Sequence, residues 1–184
     1  MIREVTETLV RTIHRETPDL DPWATAVSLH DGVNIPANQL AVFLYRIGEQ
    51  THSRNRPMEF DGERYMRPPM MVQLHYLMAW FGIEGPEAHL DEQARLDRLI
   101  QVFHSHPIIP ASDLPSPLSD QVDRLAIRMW SPTDEERNEI WTGVSRPMRL
   151  SLFYQVEAVP IVPTTRGGPP ITEQRINYGE WARS

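Results

Sequence analysis

The seven histidines are the first residues to consider for chemistry, and two of them are spaced so that they could share a ligand. His104 and His106 are separated by one residue at the end of a predicted helix, before Pro107. Two imidazoles can begin a metal site, but no nearby carboxylate or third histidine completes one. We therefore favour a helix-terminal pair that complements the helix dipole, and we expect no metal or other cofactor.

Other reactive side chains also have a structural interpretation. His75 lies in a predicted strand, where a hydrogen-bonded sheet histidine is favoured over a catalytic one. An acidic cluster resembles paired carboxylates for acid–base catalysis, but its position at the start of a predicted helix explains it. The cluster comprises Asp134, Glu135, Glu136 and Glu139. The chain lacks cysteine, nucleotide-binding glycine loops, and the serine-hydrolase and zinc-protease motifs, so we expect no enzymatic activity.

A charged segment at residues 49–67 holds the side chains best placed to meet a partner. Its candidate contact residues are Arg54, Asn55, Arg56, Arg64 and Arg67. Guanidinium groups form forked hydrogen bonds with carboxylates, which suits a protein interface. A solvated loop stabilised by local turns is an equally good interpretation. The C-terminal tail contributes three further candidate contacts, Arg166, Tyr178 and Trp181.

Composition limits the classes of partner. The chain has 184 residues with 40% hydrophobic content, enough for one domain with its own core. Its net charge of −7 argues against nucleic-acid binding, because phosphate neutralisation needs a basic face. The longest apolar stretch, near residues 76–83, is much shorter than a membrane span, and the N-terminus does not resemble a signal peptide. We expect no membrane partner, with synthesis and assembly in the cytoplasm.

Hydrophobic periodicity predicts an α+β fold, with one mixed or mainly antiparallel sheet and helices packed on one side of it. Two aromatic and β-branched runs, within residues 40–48 and 70–82, are expected to be neighbouring antiparallel strands. Shorter strands are predicted at 23–29 and 122–130, and a long one begins near residue 148. Helices are predicted from the N-terminus to Pro18, from Ala88 to Pro107, and after Ser131.

Several local details follow from the same patterns. Strict alternation places Arg46 on the same face as Val42 and Leu44. Ser131 is expected to cap the third helix, with Pro132 at its first position. The buried stripe of the second helix is predicted to comprise Leu96, Leu99, Ile100 and Phe103. Proline, paired glycine and isolated apolar residues dominate the end of the chain, so we divide it into a domain at 1–163 and an extended arm at 164–184.

The chain also resembles a known family in five segments that occur in the same order. These are LYRIGEQTHSRN, QLHYLMAWFG, LDRLIQVFHSHPII, SPTDEERNEIWTGV and RLSLFYQVEAVPI. Together they resemble the N-terminal domain of the tail-terminator, or cap, proteins of extracellular contractile injection systems, which are phage-tail-like devices. The resemblance covers residues 1–163, and it is the ordered set that makes it specific.

This resemblance implies a phage tail-terminator-like fold and a structural role. Such a cap ends the growth of the inner tube and anchors the last sheath ring, as a hexameric ring that contacts tube and sheath proteins. The particle would then carry it out of the cytoplasm. Because the chain ends soon after the domain, we do not expect the functions of extra C-terminal domains found in some relatives. A cargo-loading adaptor and a small enzyme or ligand-binding domain remain as alternatives.

Overall fold

The computed structural model describes residues 1–50, 57, 59–60, 65–66 and 68–161. These described residues include three helices, α1 (Ile2–Glu16), α2 (Ala88–Ser105) and α3 (Asp134–Gly143). The strands are β1 (Ala24–Ala26), β2 (Gln39–Glu49), β3 (Glu59–Phe60), β4 (Tyr65–Met66), β5 (Met70–Phe81), β6 (Ile108–Pro110), β7 (Arg124–Met129) and β8 (Ser151–Ile161). The predicted arm at 164–184 lies outside the described residues, as does the boundary proposed at 163.

Six of these strands form one mixed sheet in the order β1-β2-β5-β8-β7-β6. Only β1 and β2 run parallel in this sheet, and the other neighbouring pairs are antiparallel. The predicted antiparallel pairing of β2 with β5 is confirmed. Strand β8 inserts between β5 and β7. Strands β3 and β4 form a small separate ladder within the segment that we predicted to be a loop throughout.

Helices pack on both faces of the six-stranded sheet, so the prediction of one covered side is wrong. The first core lies under α1 and α2 and includes Val5, Leu9, Leu99, Leu74, Tyr76 and Tyr154. The second core lies under α3 and includes Ala41, Leu77, Ala79, Trp141, Val144 and Phe153. Because successive strand residues point to opposite faces, β2, β5 and β8 supply side chains to both cores.

The buried stripe of α2 differs from the predicted one at a single turn. Leu96, Leu99 and Phe103 are buried as expected. Ile100 is 36% exposed, and Val102 takes its place in the core. Both positions are apolar and only two residues apart, so the sequence pattern cannot decide which of them faces the sheet.

A bulge in β2 reverses the predicted face of Arg46. Leu44 pairs with Tyr76 and Arg46 pairs with His75, which leaves Tyr45 as an extra residue between them. Directly opposed residues in an antiparallel pair lie on the same face, so Arg46 shares the face of His75 rather than that of Leu44. The prediction from strict alternation is therefore wrong after residue 44.

The N-terminus of α3 is capped two residues later than predicted. Thr133 is the N-cap, and its hydroxyl accepts a hydrogen bond from the Glu136 backbone N–H at 3.2 Å. The Glu136 carboxylate accepts in return from the Thr133 backbone N–H at 2.9 Å. This is a capping box with the usual glutamate at its third position. Ser131 and Pro132 precede the cap, although the predicted helix start within this segment is confirmed.

We therefore expect Thr133→Ala to lower the free energy of unfolding by about 1 kcal/mol, because an orphan backbone N–H loses its acceptor. Ser131→Ala is the matched control, and it should change stability by less than about 0.5 kcal/mol. Urea denaturation of both variants measures the difference. A larger loss for Ser131→Ala would show that the cap is assigned to the wrong residue.

Candidate assembly interface

All eight candidate contact residues lie outside the described residues. They are Arg54, Asn55, Arg56, Arg64, Arg67, Arg166, Tyr178 and Trp181. Their role stays a prediction, but the points at which their segments join the sheet are described. Strand β2 ends at Glu49 opposite Val72, and β5 begins at Met70 opposite Ile161, the last residue of β8. The arginine-bearing segment and the tail therefore leave the sheet from the same end, which we call the loop end.

The opposite end of the sheet, the Trp80 end, is held by a set of specific contacts around Trp80. Its indole Nε1 donates a hydrogen bond to Asp91 Oδ2 at 2.9 Å. The Arg95 guanidinium lies 5.1 Å from the centre of the Trp80 ring, within range of a cation–π interaction. Arg95 Nε also lies 3.5 Å from Asp91 Oδ1. These contacts attach α2 to the end of β5.

Arg149, which precedes β8, is engaged at the same end. Its Nη1 donates to the Trp80 carbonyl at 3.1 Å, and its guanidinium carbon lies 4.6 Å from the centre of the Phe81 ring. Gly82 follows at once, and a Cβ there would lie 2.6 Å from Trp80 Nε1. Because real Cβ atoms do not approach that closely, glycine is required here by packing.

Large apolar side chains remain exposed around this end. They are Ile83 at 66%, Leu90 at 64%, Met148 at 58% and Leu150 at 46% exposure. Ile83, His89 and Arg149 line one shallow groove together with Glu84 and Glu92. We call this groove the Trp80-end groove. Sequence analysis did not identify it, because its members come from three separate segments.

A second cluster lies on the α3 face of the sheet and involves a predicted site residue. His75 is only 8% exposed, and its ring lies 6.1 Å from the Tyr45 ring and 5.7 Å from the Trp130 ring. His75 Nδ1, Tyr45 Oη and Trp130 Nε1 are buried and have no hydrogen-bond partner in the described part of the chain. The expectation of a hydrogen-bonded sheet histidine is therefore wrong for Nδ1.

Burial controls the electrostatics of this cluster. It lowers the pKa of His75, and the positive charge of Arg46 lowers it further, while Glu136 opposes both effects. Burial also raises the pKa of Tyr45. The Trp130 indole N–H lies near enough to oppose that rise, but it does not meet hydrogen-bond geometry. The cluster is thus a neutral, aromatic-lined core site that resists protonation of its histidine.

Three of the remaining candidates for chemistry make structural contacts. His106 Nε2 lies 3.3 Å from Glu16 Oε2, which joins the end of α2 to the end of α1. Within the described ranges, no group of three or more histidines and carboxylates is placed to hold a metal ion. Glu136 belongs to the capping box of α3, and Asp134 lies 3.5 Å from Arg137.

Among the residues that the structure describes, no helix is long and apolar enough to cross a bilayer.

Comparisons with known proteins are consistent with this architecture. The family model described as the Pvc16 N-terminal domain matches residues 4–173. One similar structure is the sheath/tube terminator of PVC, an extracellular contractile injection system, in its extended state. That match has 16% identity and a TM-score of 0.65, and it covers 99% of this chain.

The tube terminating cap of the anti-feeding prophage is also similar, with 18% identity, a TM-score of 0.59 and 94% coverage of this chain. At such low identity these matches show the fold, and they confirm the predicted tail-terminator-like architecture. The chain spans 64% and 59% of the two chains that it matches. It has no match among the curated proteins.

The packing at Gly82 gives a direct test of the Trp80 end. Gly82→Ala should lower the free energy of unfolding by about 1–3 kcal/mol, because the added methyl group displaces the buried Trp80 ring. Gly85→Ala is the matched control, since a Cβ at that position has no atom within 4 Å. It should change stability by less than about 1 kcal/mol. Equal unfolding midpoints for the two variants would contradict the proposed crowding.

The burial of His75 predicts a pH dependence of stability. Its folded-state pKa lies below the ordinary value near 6.5, so the unfolded chain binds the proton more readily. The stabilisation is therefore present above pH 6.5 and is lost as the pH falls below it. We expect His75→Gln to flatten this decline, whereas His104→Gln, at an exposed histidine, should leave it unchanged. Denaturation midpoints that fall equally with pH in all three proteins would refute this assignment.

Proposed function

Because this chain belongs to the Pvc16 N-terminal domain family, we propose that it is a structural cap of a phage-tail-like contractile injection system. In this role it ends the growth of the inner tube and anchors the last ring of the sheath. The observation that carries the proposal is a fold shared along nearly the whole chain with a sheath/tube terminator and a tube terminating cap. The family match over residues 4–173 supports it independently.

A cap of this kind needs a domain whose two ends present different surfaces. A tube of stacked rings grows because every ring presents the same face to the next one. A terminator must match that face on one side and offer no matching face on the other. The domain has dissimilar ends: the Trp80 end carries a groove lined by Ile83, Glu84 and Arg149, and the arginine-bearing segment and the tail join the sheet at the loop end.

We further propose that the cap is a homo-oligomeric, hexameric ring that contacts both tube and sheath proteins. Residues 1–163 would form the terminator-like domain, and residues 164–184 an arm that reaches a neighbouring subunit or partner. Arg54, Asn55 and Arg56 would contact partner carboxylates, with Arg64 and Arg67 nearby in sequence. Arg166, Tyr178 and Trp181 are the corresponding contacts of the arm.

The role is a mechanical one, without catalysis. The similar structures are parts of assembled particles, and their functional names describe termination of a tube. The buried histidine cluster is a core site whose imidazole is desolvated, which suits packing better than proton transfer to a substrate. We propose assembly in the cytoplasm, after which the cap leaves the cell as part of the particle.

Electron microscopy of particles assembled with and without this chain tests the proposal. We expect tubes without it to be irregular or overlong and to lack a cap of density at one end. Adding back the purified chain should restore both features. Normal tube length with both ends intact in its absence would refute a terminator. Co-purification with cargo proteins in place of tube proteins would then favour the adaptor function.

Charge reversal tests the proposed contact segment in the same assay. Arg54→Glu combined with Arg56→Glu should prevent capping while the chain still folds, because arginine–carboxylate pairs become repulsive. The matched control is Arg3→Glu with Arg11→Glu, which makes the same change in net charge on the exposed side of α1. If capping survives the first pair of substitutions, these arginines do not make the contact.

A further inference from the structure

We propose that the Asp31–Gly32 peptide is a site of spontaneous covalent modification, at which the aspartate converts to isoaspartate through a cyclic succinimide. This inference goes beyond the proposed capping function and does not depend on it. The reacting groups are the Asp31 carboxyl group and the backbone nitrogen of Gly32, and the other reactant is water.

A turn brings the two reacting groups together. The Gly32 backbone N–H donates a hydrogen bond to Asp31 Oδ1 at 2.9 Å. Because this oxygen is bonded to the carboxyl carbon Cγ, the nitrogen lies beside the atom that it attacks. Rotation of the Asp31 side chain about its Cα–Cβ bond carries Cγ toward the face of the peptide, from which the bond can form.

The surroundings of this turn leave room for ring closure. Asp31 and Gly32 are both exposed, and a Cβ placed on Gly32 would have no atom of the described chain within 4 Å. Gly32 has a φ of 82°, a conformation that favours glycine over residues with a side chain. The turn therefore selects the one residue type that has no side chain to shield its own backbone nitrogen.

The bond changes balance with water alone. Starting from the protonated carboxyl group, Gly32 N bonds to Asp31 Cγ, and the hydroxyl oxygen leaves with the amide proton as water. Water then adds to one of the two carbonyl carbons of the ring and breaks the bond from that carbon to the nitrogen. Opening at Cγ restores the aspartyl peptide. Opening at the backbone carbonyl carbon of Asp31 leaves Cγ in the main chain and the former backbone carboxyl group as the side group.

Arg146 grips the chain on both sides of this peptide. Its Nε donates to the Leu29 carbonyl at 2.8 Å. Its Nη2 donates to the carbonyls of His30 and Val33. The acceptors of one guanidinium group therefore lie before and after the Asp31–Gly32 peptide.

Isomerisation lengthens the backbone between these acceptors by one carbon. The guanidinium group is planar and rigid, so it cannot follow all three carbonyls when their spacing changes. We expect the bond to Val33, beyond the inserted carbon, to be lost. This loosens a segment that covers the second core, in which Leu29 is buried.

Peptide mapping of the purified full chain after prolonged incubation tests the site. Isoaspartate should accumulate at residue 31 of the folded chain at least as fast as in the chain unfolded in urea, because the turn already holds the reacting groups together. A second Asp–Gly pair, Asp61–Gly62, gives a sequence-matched reference rate in the unfolded chain. Asp97, which is exposed in α2 and followed by an arginine, should stay unmodified in the folded chain. Slower conversion at residue 31 in the folded chain than in the unfolded one would overturn the proposal.

Urea unfolding of the modified chain tests the link to Arg146. The isoaspartyl form, separated by chromatography, should unfold at a lower urea concentration than the unmodified chain. Asp31→Glu is the matched control, because it keeps the charge but would have to close a larger ring. The same incubation should leave the unfolding midpoint of that variant unchanged. An unaltered midpoint in the isoaspartyl chain would show that the Arg146 contacts tolerate the inserted carbon, and would overturn this second part of the inference.

Discussion

The two hydrophobic cores depend on β5, because its alternate side chains enter opposite faces of the sheet. Leu74 and Tyr76 lie in the core under α1 and α2, whereas Leu77 and Ala79 lie in the core under α3. Strands β2 and β8 hydrogen-bond to its two edges along nearly its full length. A shift of one residue would exchange the two sets of side chains, so this register is strongly determined.

Bulges in β2 and β8, the two strands that flank β5, adjust which of their side chains face each core. In β2 the extra residue at Tyr45 brings Arg46 to the face of His75. The register of β8 shifts in a similar way, since Val72 pairs with Val159 while Leu74 pairs with Val156. Val156 and Val159 therefore lie in the same core although an odd number of positions separates them. Bulges also increase the local twist of a sheet.

The same strand separates the two ends of the domain and so gives it a polarity. The Trp80 end combines a tightly packed interior with a groove lined by Ile83, Glu84 and Glu92. The loop end is where β2 and β8 stop and the arginine-bearing segments begin. A protein proposed to stop a self-repeating assembly needs such unlike ends, because identical ends would allow another ring to add. Buried His75 and its aromatic neighbours contribute to the fold between these ends.

The sequence by itself determined the positions of the helices and main strands, the α+β class and the family, because hydrophobic periodicity and ordered local segments are properties of the chain. It also located the start of α3, although it chose Ser131 where Thr133 is the cap. Tertiary structure alone decided that α3 covers the second face, that β8 lies between β5 and β7, and that Arg46 faces His75. It likewise brought Ile83, His89 and Arg149 together in the Trp80-end groove. Side chains far apart in the chain meet only when strand order and register are set by the burial of both faces at once, and neither is encoded in any one segment.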